Sequence, residues 1–248
     1  MKIKSGFFKV DGFYFPLEID LETHPHWILN GGSGSGKSIL LLYLINSLLN
    51  YPLSLFICDP KGSSDFEGLS KNYACYDDCA DLVEEVYEHY RRIKAEKTGE
   101  KIVLIIDEYP SFILSLEGKD KKRASDIKTK ISELLMQGRH LPGNGSVAVW
   151  VVTQRADAEF FPKGARINFF TTVCMGRLDT QSKTMLFPGE EIPEYMPQRG
   201  TGLILADGEP LRVFQVPFIE VDRFKKFLKE KARRRNNGSV VSPSGGST

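Results

Sequence analysis

A glycine-rich segment ending in Lys-Ser constrains the fold of this chain more than any other feature. Residues 31–38 read GGSGSGKS and satisfy the pattern G-x-x-x-x-G-K-[ST]. Glycines in such a loop allow unusual backbone angles and a close approach of the backbone to an anion. Residues 27–29 before the loop are typical of a strand, and residues 39–49 after it are typical of a buried helix. The pattern therefore predicts a phosphate-binding P-loop between a strand and a helix.

The residue types in this loop predict how a nucleotide would be held. Lys37 is expected to place a positive charge at the β- and γ-phosphates, and Ser38 to offer its hydroxyl to Mg²⁺. Backbone N–H groups of the loop and of the first helical turn are expected to donate to the phosphates. A flexible Gly/Ser linker that matches the pattern by chance is the alternative. The predicted nucleotide-binding residues are Gly31, Gly32, Ser33, Gly34, Ser35, Gly36, Lys37 and Ser38.

Two acidic residues follow the most apolar strand of the sequence. Residues 101–107 read KIVLIID, and Glu108 comes next. A carboxylate at the end of a strand beside a P-loop can hold the water shell of Mg²⁺, so Asp107 is a predicted metal-site residue. Glu108 can polarise a water for attack on the γ-phosphate, as a general base. The alternative is that the two acids merely cap a strand end.

A polar amide ends the apolar run of residues 146–153. Gln154 at the end of a strand between the other two could contact both the γ-phosphate and the attacking water, and so sense hydrolysis. An amide that is simply satisfied at a strand end explains the sequence equally well.

The order of the remaining segments predicts an α/β fold with a mostly parallel central sheet and helices on both faces, because apolar runs alternate with helical patterns. Residues 2–20 alternate apolar and polar side chains around Asp11-Gly12, which predicts an N-terminal β-hairpin. The further predicted strands are 53–58, 101–107, 146–153, 169–175, 202–205 and 211–216, and the further predicted helices are 78–97, about 124–141 and 222–231.

The linking segments complete the predicted organisation. The lysine-rich residues 116–130 are expected to form a mobile loop that runs into the helix of about 124–141. Residues 1–222 are expected to form one domain, of which 1–22 are an N-terminal β segment. Residues 223–248 are expected to form a basic C-terminal segment followed by a disordered tail.

Composition limits the class of protein. The net charge of +1 means that any contact with nucleic acid must come from local basic patches. The four cysteines show no metal-ligand spacing and are expected to be buried free thiols of a reducing cytosol. The longest apolar run, residues 39–45, is too short to span a bilayer, and no signal peptide opens the chain. We therefore expect a cytoplasmic protein without direct membrane insertion, which a partner could recruit to the membrane.

Taken together, several ordered motifs resemble those of the FtsK/SpoIIIE family of DNA-translocating ATPases, within the wider HerA–FtsK group. The resemblance covers about residues 9–216. The motifs are Pro25-His26 with the P-loop, Cys58-Asp59-Pro60-Lys61, Ile105-Ile106-Asp107-Glu108-Tyr109, Gln137-Gly138-Arg139, and Val152-Thr153-Gln154-Arg155-Ala156-Asp157.

This resemblance implies a RecA-like P-loop NTPase domain that assembles as a homo-hexameric ring around duplex DNA, with ATP and Mg²⁺ between neighbours. It also implies that Arg139 reaches into the site of the adjacent subunit and stabilises charge on the γ-phosphate. The alternative for Arg139 is a cation that interacts with the dipole at the end of its helix.

Two segments depart from the family pattern. Asn168-Phe169-Phe170 replaces Pro-Thr-Arg, and Ser182-Lys183-Thr184 replaces Ser-Arg-Thr. These changes affect the expected coordination between subunits and leave ATP binding intact. We expect a minimal motor domain without the membrane region and winged-helix module of the cell-division translocases, as in mobile-element or conjugative relatives.

The expected function is ATP-dependent translocation of DNA, with sequence-independent contacts to phosphates. The alternatives are an ATPase that energises protein secretion and an ATP-binding adaptor without motor activity. Any of the basic segments could equally be a solvated surface. The candidate DNA contacts are Lys119, Lys121, Lys122, Arg123, Lys128 and Lys130; Arg223, Lys225, Lys226, Lys229, Lys231, Arg233, Arg234 and Arg235; and Lys163 and Arg166.

Overall fold

The computed structural model describes residues 1–10, 13–154 and 166–236, the last range without the side chain of Arg166. The turn predicted at Asp11-Gly12, the candidate contacts Lys163 and Arg166, and the tail predicted after residue 236 therefore lie outside the described residues or side chains. The described strands are β1 (Lys2–Val10), β2 (Phe13–Asp20), β3 (Trp27–Gly31), β4 (Ser54–Asp59), β5 (Asn72–Cys75), β6 (Lys101–Ile106), β7 (Ser146–Thr153), β8 (Thr171–Met175), β9 (Thr201–Ala206) and β10 (Arg212–Gln215).

Six α-helices lie between or after these strands in the described part of the chain. The predicted P-loop helix, the helix after β5 and the helix before β7 are all present. The helices are α1 (Lys37–Leu48), α2 (Asp78–Glu96), α3 (Tyr109–Lys119), α4 (Lys121–Gln137), α5 (Thr180–Leu186) and α6 (Val221–Asn236).

The described strands form one ten-stranded sheet in the order β2-β1-β10-β9-β8-β3-β7-β6-β4-β5. The strands from β8 to β5 in this order pair in parallel, and those from β8 to β2 pair antiparallel. The P-loop strand β3 is central, because β7 and β8 flank it. The predicted mostly parallel sheet and N-terminal strands are confirmed.

Each face of the sheet carries its own apolar core. Alternate residues of a strand point to opposite faces, so a strand buried on both sides supplies both cores. In β6, Leu104 packs with α2, α3 and α4 on one face, whereas Ile105 packs with α1 and α6 on the other. Trp27 and Trp150 stack on the second face with ring centroids 4.9 Å apart. Helices cover both faces, as predicted.

The expectation of a mobile loop at residues 116–130 is wrong. Helices α3 and α4 occupy this segment and meet at Asp120, whose side chain accepts a hydrogen bond from Arg123 N at 2.9 Å and caps α4. Ala124, Ile127 and Ile131 recur at helical spacing and are all fully buried. The lysines of α4 lie on its outer face. Because the segment contains so many of them, its composition suggested a loop rather than an amphipathic helix.

The sequence interpretation also missed β5, a short edge strand that pairs with β4. All four of its residues are half-buried, so it lacks the apolar run that marks the central strands.

Helix α6 is longer than the predicted 222–231 and packs on the domain. Leu228 and Ala232 are buried in the same core as α1. Lys231 Nζ donates to the carbonyl oxygen of Asn46 at 2.8 Å, which ties the basic segment to the end of α1. The predicted boundary between residues 222 and 223 falls inside this helix.

Three of the four predicted free thiols are buried, and Cys75 is half-buried. Among the helices described, none combines the length and the hydropathy needed to cross a bilayer.

Candidate nucleotide-binding site

The carboxyl ends of the parallel strands converge on one edge of the sheet, where the P-loop joins β3 to α1. Gly36 precedes α1 with a φ of 105°, a conformation that glycine adopts without strain. A Cβ on Gly31 would lie 2.7 Å from the carbonyl oxygen of Met175. Gly36 has no side chain to cap α1, and no acid stands in the first helical turn. The first N–H groups of α1 are therefore suited to an anion, and this part of the chain fits a nucleotide phosphate.

Lys37 lies over the loop that precedes it. Its Nζ donates to the carbonyl oxygens of Gly31 and, at 3.1 Å, of Gly32. The residue is 9% exposed, and burial lowers the pKa of its ammonium. The predicted phosphate-binding cation is therefore held at the centre of the loop. Ser38 follows it as an exposed residue in the first turn of α1.

Asp107 and Glu108 follow β6 on the same edge. The backbone N–H of Asp107 donates to Cys58 O at 3.0 Å, which fixes the end of β6 against β4. Burial, and then the negative charges of Glu108 and Asp59, raise the pKa of Asp107 to about 7. A bound cation would favour its ionised form.

The donor set fits Mg²⁺. In the described residues no group of three His, Cys, Asp or Glu side chains is arranged to hold a metal. Mg²⁺ is usually held by one or two protein groups together with substrate phosphates and water. Asp107 and the hydroxyl of Ser38 suit that role, because both follow strands or loops on the P-loop edge of the sheet.

Glu108 is held in place by its backbone, by one hydrogen bond and by one ion pair. Its φ of 48° is left-handed, and it directly precedes α3, which has Pro110 in its first turn. Its side chain is largely buried, and Oε1 accepts a hydrogen bond from Gln154 Nε2 at 2.6 Å. Lys61 Nζ lies 3.5 Å from the same oxygen. The structure thus joins Glu108 and Gln154, two residues that the sequence predicted separately.

Sequence reasoning missed two residues that shape this edge, Asp59 and Lys61. Asp59 is the last residue of β4 and Lys61 lies in the turn after it. Both belong to the motif Cys58-Asp59-Pro60-Lys61, which contributed only to the family resemblance. Asp59 is fully buried, and its Oδ2 accepts hydrogen bonds from Ser63 Oγ, Ser64 N and Tyr73 OH at 3.0, 3.0 and 2.9 Å. An acid directly at the end of an apolar strand is the signal that could have identified Asp59.

The segment before β9 also contacts the P-loop, which the sequence did not reveal. Gly200 N donates to Ser35 O in the P-loop at 3.0 Å. A Cβ on Gly36 would lie 3.1 Å from the same nitrogen. The antiparallel part of the sheet therefore supports the loop from outside its own βα unit.

Arg139 does not join this edge. It follows α4 and precedes β7, whereas the P-loop follows β3, which is parallel to β7. It therefore lies at the amino-terminal edge of the sheet, away from the P-loop of its own chain. Its guanidinium carbon is 4.5 Å from the centroid of Phe170, which is 5.9 Å from the ring of His26.

His26 links this cluster to β3. Its Nδ1 accepts a hydrogen bond from Val149 N at 3.0 Å. Burial, and then the charge of Arg139, lower the pKa of His26 to about 3. His26 is therefore neutral at physiological pH, and it directly precedes the P-loop strand.

Most basic side chains of residues 119–130, the first set of candidate DNA contacts, are paired with acidic side chains. Lys119 Nζ lies 2.6 Å from Asp77 Oδ1, and Lys130 Nζ lies 2.7 Å from Asp126 Oδ2. Arg123 also pairs with Asp81. These contacts partly neutralise the candidate DNA-binding surface.

Comparison with known proteins agrees with the predicted resemblance. The sequence model of the FtsK/SpoIIIE family matches residues 4–94. The FtsK domain-containing protein YdcQ of Bacillus subtilis (strain 168) is 25% identical over 197 residues, which is 72% of this chain and 39% of YdcQ. The chain thus spans about two fifths of the length of this curated relative. The FtsK/SpoIIIE resemblance is confirmed.

Solved structures show the same fold. The pCW3 conjugation coupling protein TcpA, solved with ATPγS, has a TM-score of 0.72 at 19% identity, over 95% of this chain and 70% of TcpA. ATPases 2 and 3 of EssC from Geobacillus thermodenitrificans have a TM-score of 0.72 at 15% identity, over 96% of this chain and 49% of the solved chain. The cytoplasmic domain of the type VII secretion ATPase EccC from Thermomonospora curvata has a TM-score of 0.66 at 20% identity, over 92% of this chain and 31% of the solved chain. The predicted RecA-like α/β fold is confirmed.

Proposed function

We propose that this chain, an FtsK-type P-loop ATPase domain, hydrolyses ATP to move duplex DNA as part of a hexameric ring. The observation that carries hydrolysis is the pair of contacts around Glu108. A general base needs a fixed position beside the reacting water. The contact with Gln154 at 2.6 Å and the buried carboxylate of Glu108 supply such a position on the P-loop edge.

Each residue of the site has its own expected role in hydrolysis. Lys37 and the N–H groups of α1 would bind the phosphates, and Ser38 and Asp107 would hold Mg²⁺. When bound, Mg²⁺ neutralises charge on the β- and γ-phosphates. Glu108 would take the proton of the attacking water, and Gln154 would contact that water and the γ-phosphate. An intact Glu108 argues against an adaptor that only binds ATP.

Assembly as a ring is supported by the position of Arg139. An arginine at the edge of the sheet opposite to its own P-loop can act on a γ-phosphate only in a neighbouring subunit. Head-to-tail contacts between identical subunits close into rings when the rotation permits. Each nucleotide would then be bound by the P-loop of one subunit, and Arg139 of the next subunit would complete its binding site.

The match to the FtsK/SpoIIIE family supports DNA as the proposed substrate. The conjugation coupling protein TcpA is one of the structural neighbours. Conjugative or mobile-element transfer is accordingly the process we propose, with a membrane-bound transfer partner recruiting a cytoplasmic ring.

A secretion ATPase is the second candidate. The ion pairs of Lys119 and Lys130 favour it, because a paired lysine contributes less to a phosphate-binding surface. EssC and EccC among the structural neighbours carry the same fold.

The test is the ATPase rate with and without duplex DNA, with the assembly state measured by mass photometry. We expect stimulation by duplex DNA of arbitrary sequence that weakens as salt increases. Lack of stimulation by DNA, together with stimulation by a protein substrate, would favour secretion. Glu108→Gln should bind ATP normally and lose at least about 100-fold in turnover, as expected for removal of a general base.

A further inference from the structure

Lys61 occupies the turn after β4, and its Nζ lies 3.5 Å from Glu108 Oε1. It extends from the Asp-Pro-Lys segment, to which the proposed function assigns no role. The contact is notable because Glu108 is largely buried, whereas the side chain of Lys61 is 46% exposed. A half-exposed cation therefore meets a largely buried carboxylate.

The backbone that carries Lys61 is anchored on both sides. Gly62 N donates to Asp59 O at 3.0 Å and closes the turn. The buried Asp59 carboxylate accepts from Ser63 and Ser64, the next residues along the chain. Gly62 has a φ of 63°, and a Cβ there would collide with the ring of Tyr76. The turn thus has one well-defined backbone course, which fixes the point from which Lys61 reaches the site.

Charge also places Lys61 within the catalytic edge. Burial first, and more weakly the positive charge of Lys61, lower the pKa of Lys37. Lys61 therefore lies near the P-loop lysine as well as near Glu108. Lys37 at the start of α1 and Lys61 in the turn after β4 thus both lie close enough to the acidic pair Asp107-Glu108 to interact with its charge.

One hydrogen bond and one ion pair meet at the same oxygen of Glu108. Gln154 Nε2 donates to Oε1, and Lys61 Nζ forms an ion pair with it. This arrangement orients the carboxylate, and we expect Oε2 to be the oxygen that accepts the proton. In the hydrolytic step, a water oxygen bonds to the γ-phosphorus, the bond to the bridging oxygen of ADP breaks, and the water proton passes to Glu108.

We propose that Lys61 is a positioning residue that, together with Gln154, sets the orientation of Glu108 for this proton transfer. The proposal rests on the proposed function, in which Glu108 is the general base. Lys61 acts through Glu108, so its loss should slow turnover more than it weakens nucleotide binding.

The experiment compares Lys61→Ala, Lys61→Gln and Lys61→Arg with the unmodified chain in steady-state ATP hydrolysis. We expect kcat to fall about 10-fold or more in the first two variants, while KM for ATP and the dissociation constant of ATPγS change by less than about twofold. Lys61→Arg should keep most of kcat, because a cation remains within reach of Oε1. Lys71→Ala is the matched control, since Lys71 is an exposed lysine that directly precedes β5 and belongs to none of the candidate sites.

A double variant separates positioning from a general loss of charge. In a Glu108→Gln background, Lys61→Ala should change the residual rate by less than about twofold, because the group that Lys61 orients is already inactive. An unchanged kcat in Lys61→Ala, or a faster one, would overturn the proposal. So would a proportional loss of ATPγS affinity, or an additive effect in the Glu108→Gln background. If the unmodified chain itself does not hydrolyse ATP, the proposed function fails first.

Discussion

Gln154 Nε2 lies 2.6 Å from Glu108 Oε1, so one hydrogen bond joins the polar ends of strands β7 and β6. The P-loop strand β3 pairs with β7 on the other side, with Asn30 opposite Thr153. The end of β7 therefore stands between the phosphate-binding loop and the predicted general base. A change at the γ-phosphate that moves Gln154 would be transmitted directly to Glu108.

Replacement of Gln154 by Ala should lower kcat for ATP hydrolysis by about 10- to 100-fold, because Glu108 loses its shorter contact and its orientation. KM for ATP should change little, since Lys37 and the loop N–H groups remain. Steady-state kinetics with ATPγS binding as a second measurement checks both. Gln181→Ala, at an exposed position on α5, is the control. A Gln154→Ala variant with the turnover of its control would contradict this role.

The raised pKa of Asp107 predicts how stability depends on pH. Burial raises the pKa from 3.8 to about 7. Between these values the folded chain keeps a proton that the unfolded chain has lost. The contribution of Asp107 to the free energy of unfolding therefore falls as the pH rises through this window, and levels off above about pH 7.

Asp107→Asn should remove that dependence. We expect the variant to be more stable than the unmodified chain by about 1–3 kcal/mol at pH 8 without metal, and nearly equal to it at about pH 4. Urea unfolding in EDTA across this range measures the difference. A difference that stays constant with pH would show that Asp107 does not titrate there. Added Mg²⁺ and ATP should stabilise the unmodified chain more than the variant.

Helix α6 should be part of the folding unit. Leu228 is fully buried against the core that contains α1, whereas the neighbouring Phe227 is half exposed. Leu228→Ala should cost about 2–4 kcal/mol of unfolding free energy, and Phe227→Ala less than about 1 kcal/mol. Denaturant unfolding of both variants measures the contrast. Equal effects would instead support the predicted boundary near residue 222.

The sequence predicts the site best where the signals are local. The P-loop depends on glycines and a lysine within one turn, and the strand β6 is a continuous apolar run that ends in its two acids. Parallel pairing then brings these ends to one edge. These local patterns are enough to predict the α/β fold and the pair Asp107-Glu108, because each pattern is made of residues that are adjacent in the sequence.

The remaining features depend on contacts between distant segments. Residues 116–130 suggested a loop because they are hydrophilic and rich in lysine. The ion-pair partners of Lys119, Arg123 and Lys128 cannot be identified from the sequence; they are Asp77, Asp81 and Glu117. The contact of Lys61 with Glu108 joins residues from two strands and depends on their register. The stacking of Arg139 on Phe170 joins residues that are separated by a whole strand and a segment outside the described residues.

Phe170 should support the action of Arg139 on a neighbouring subunit. Its ring lies 4.5 Å from the guanidinium carbon, and it stands where the family pattern has an arginine. A cation–π contact of this kind contributes about 0.5–2 kcal/mol. Phe170→Leu should therefore lower the ATPase rate of assembled rings by about 2- to 30-fold. Phe8→Leu, which removes the stacking of Arg212 at the same 4.5 Å, should leave the rate unchanged.

Mixed rings test whether Arg139 acts in a neighbouring subunit. Lys37→Ala subunits lose their own P-loop lysine and keep Arg139, whereas Arg139→Ala subunits have the opposite defect. Each variant alone should be inactive, because every site in its rings lacks one of the two groups. After mixing, a site with the P-loop of an Arg139→Ala subunit and the arginine of a Lys37→Ala neighbour is complete. We expect ATPase activity to reappear, with a maximum near equal proportions. Mixtures as inactive as the separate variants, in rings shown by mass photometry to contain both, would mean that Arg139 has no role in the neighbouring site.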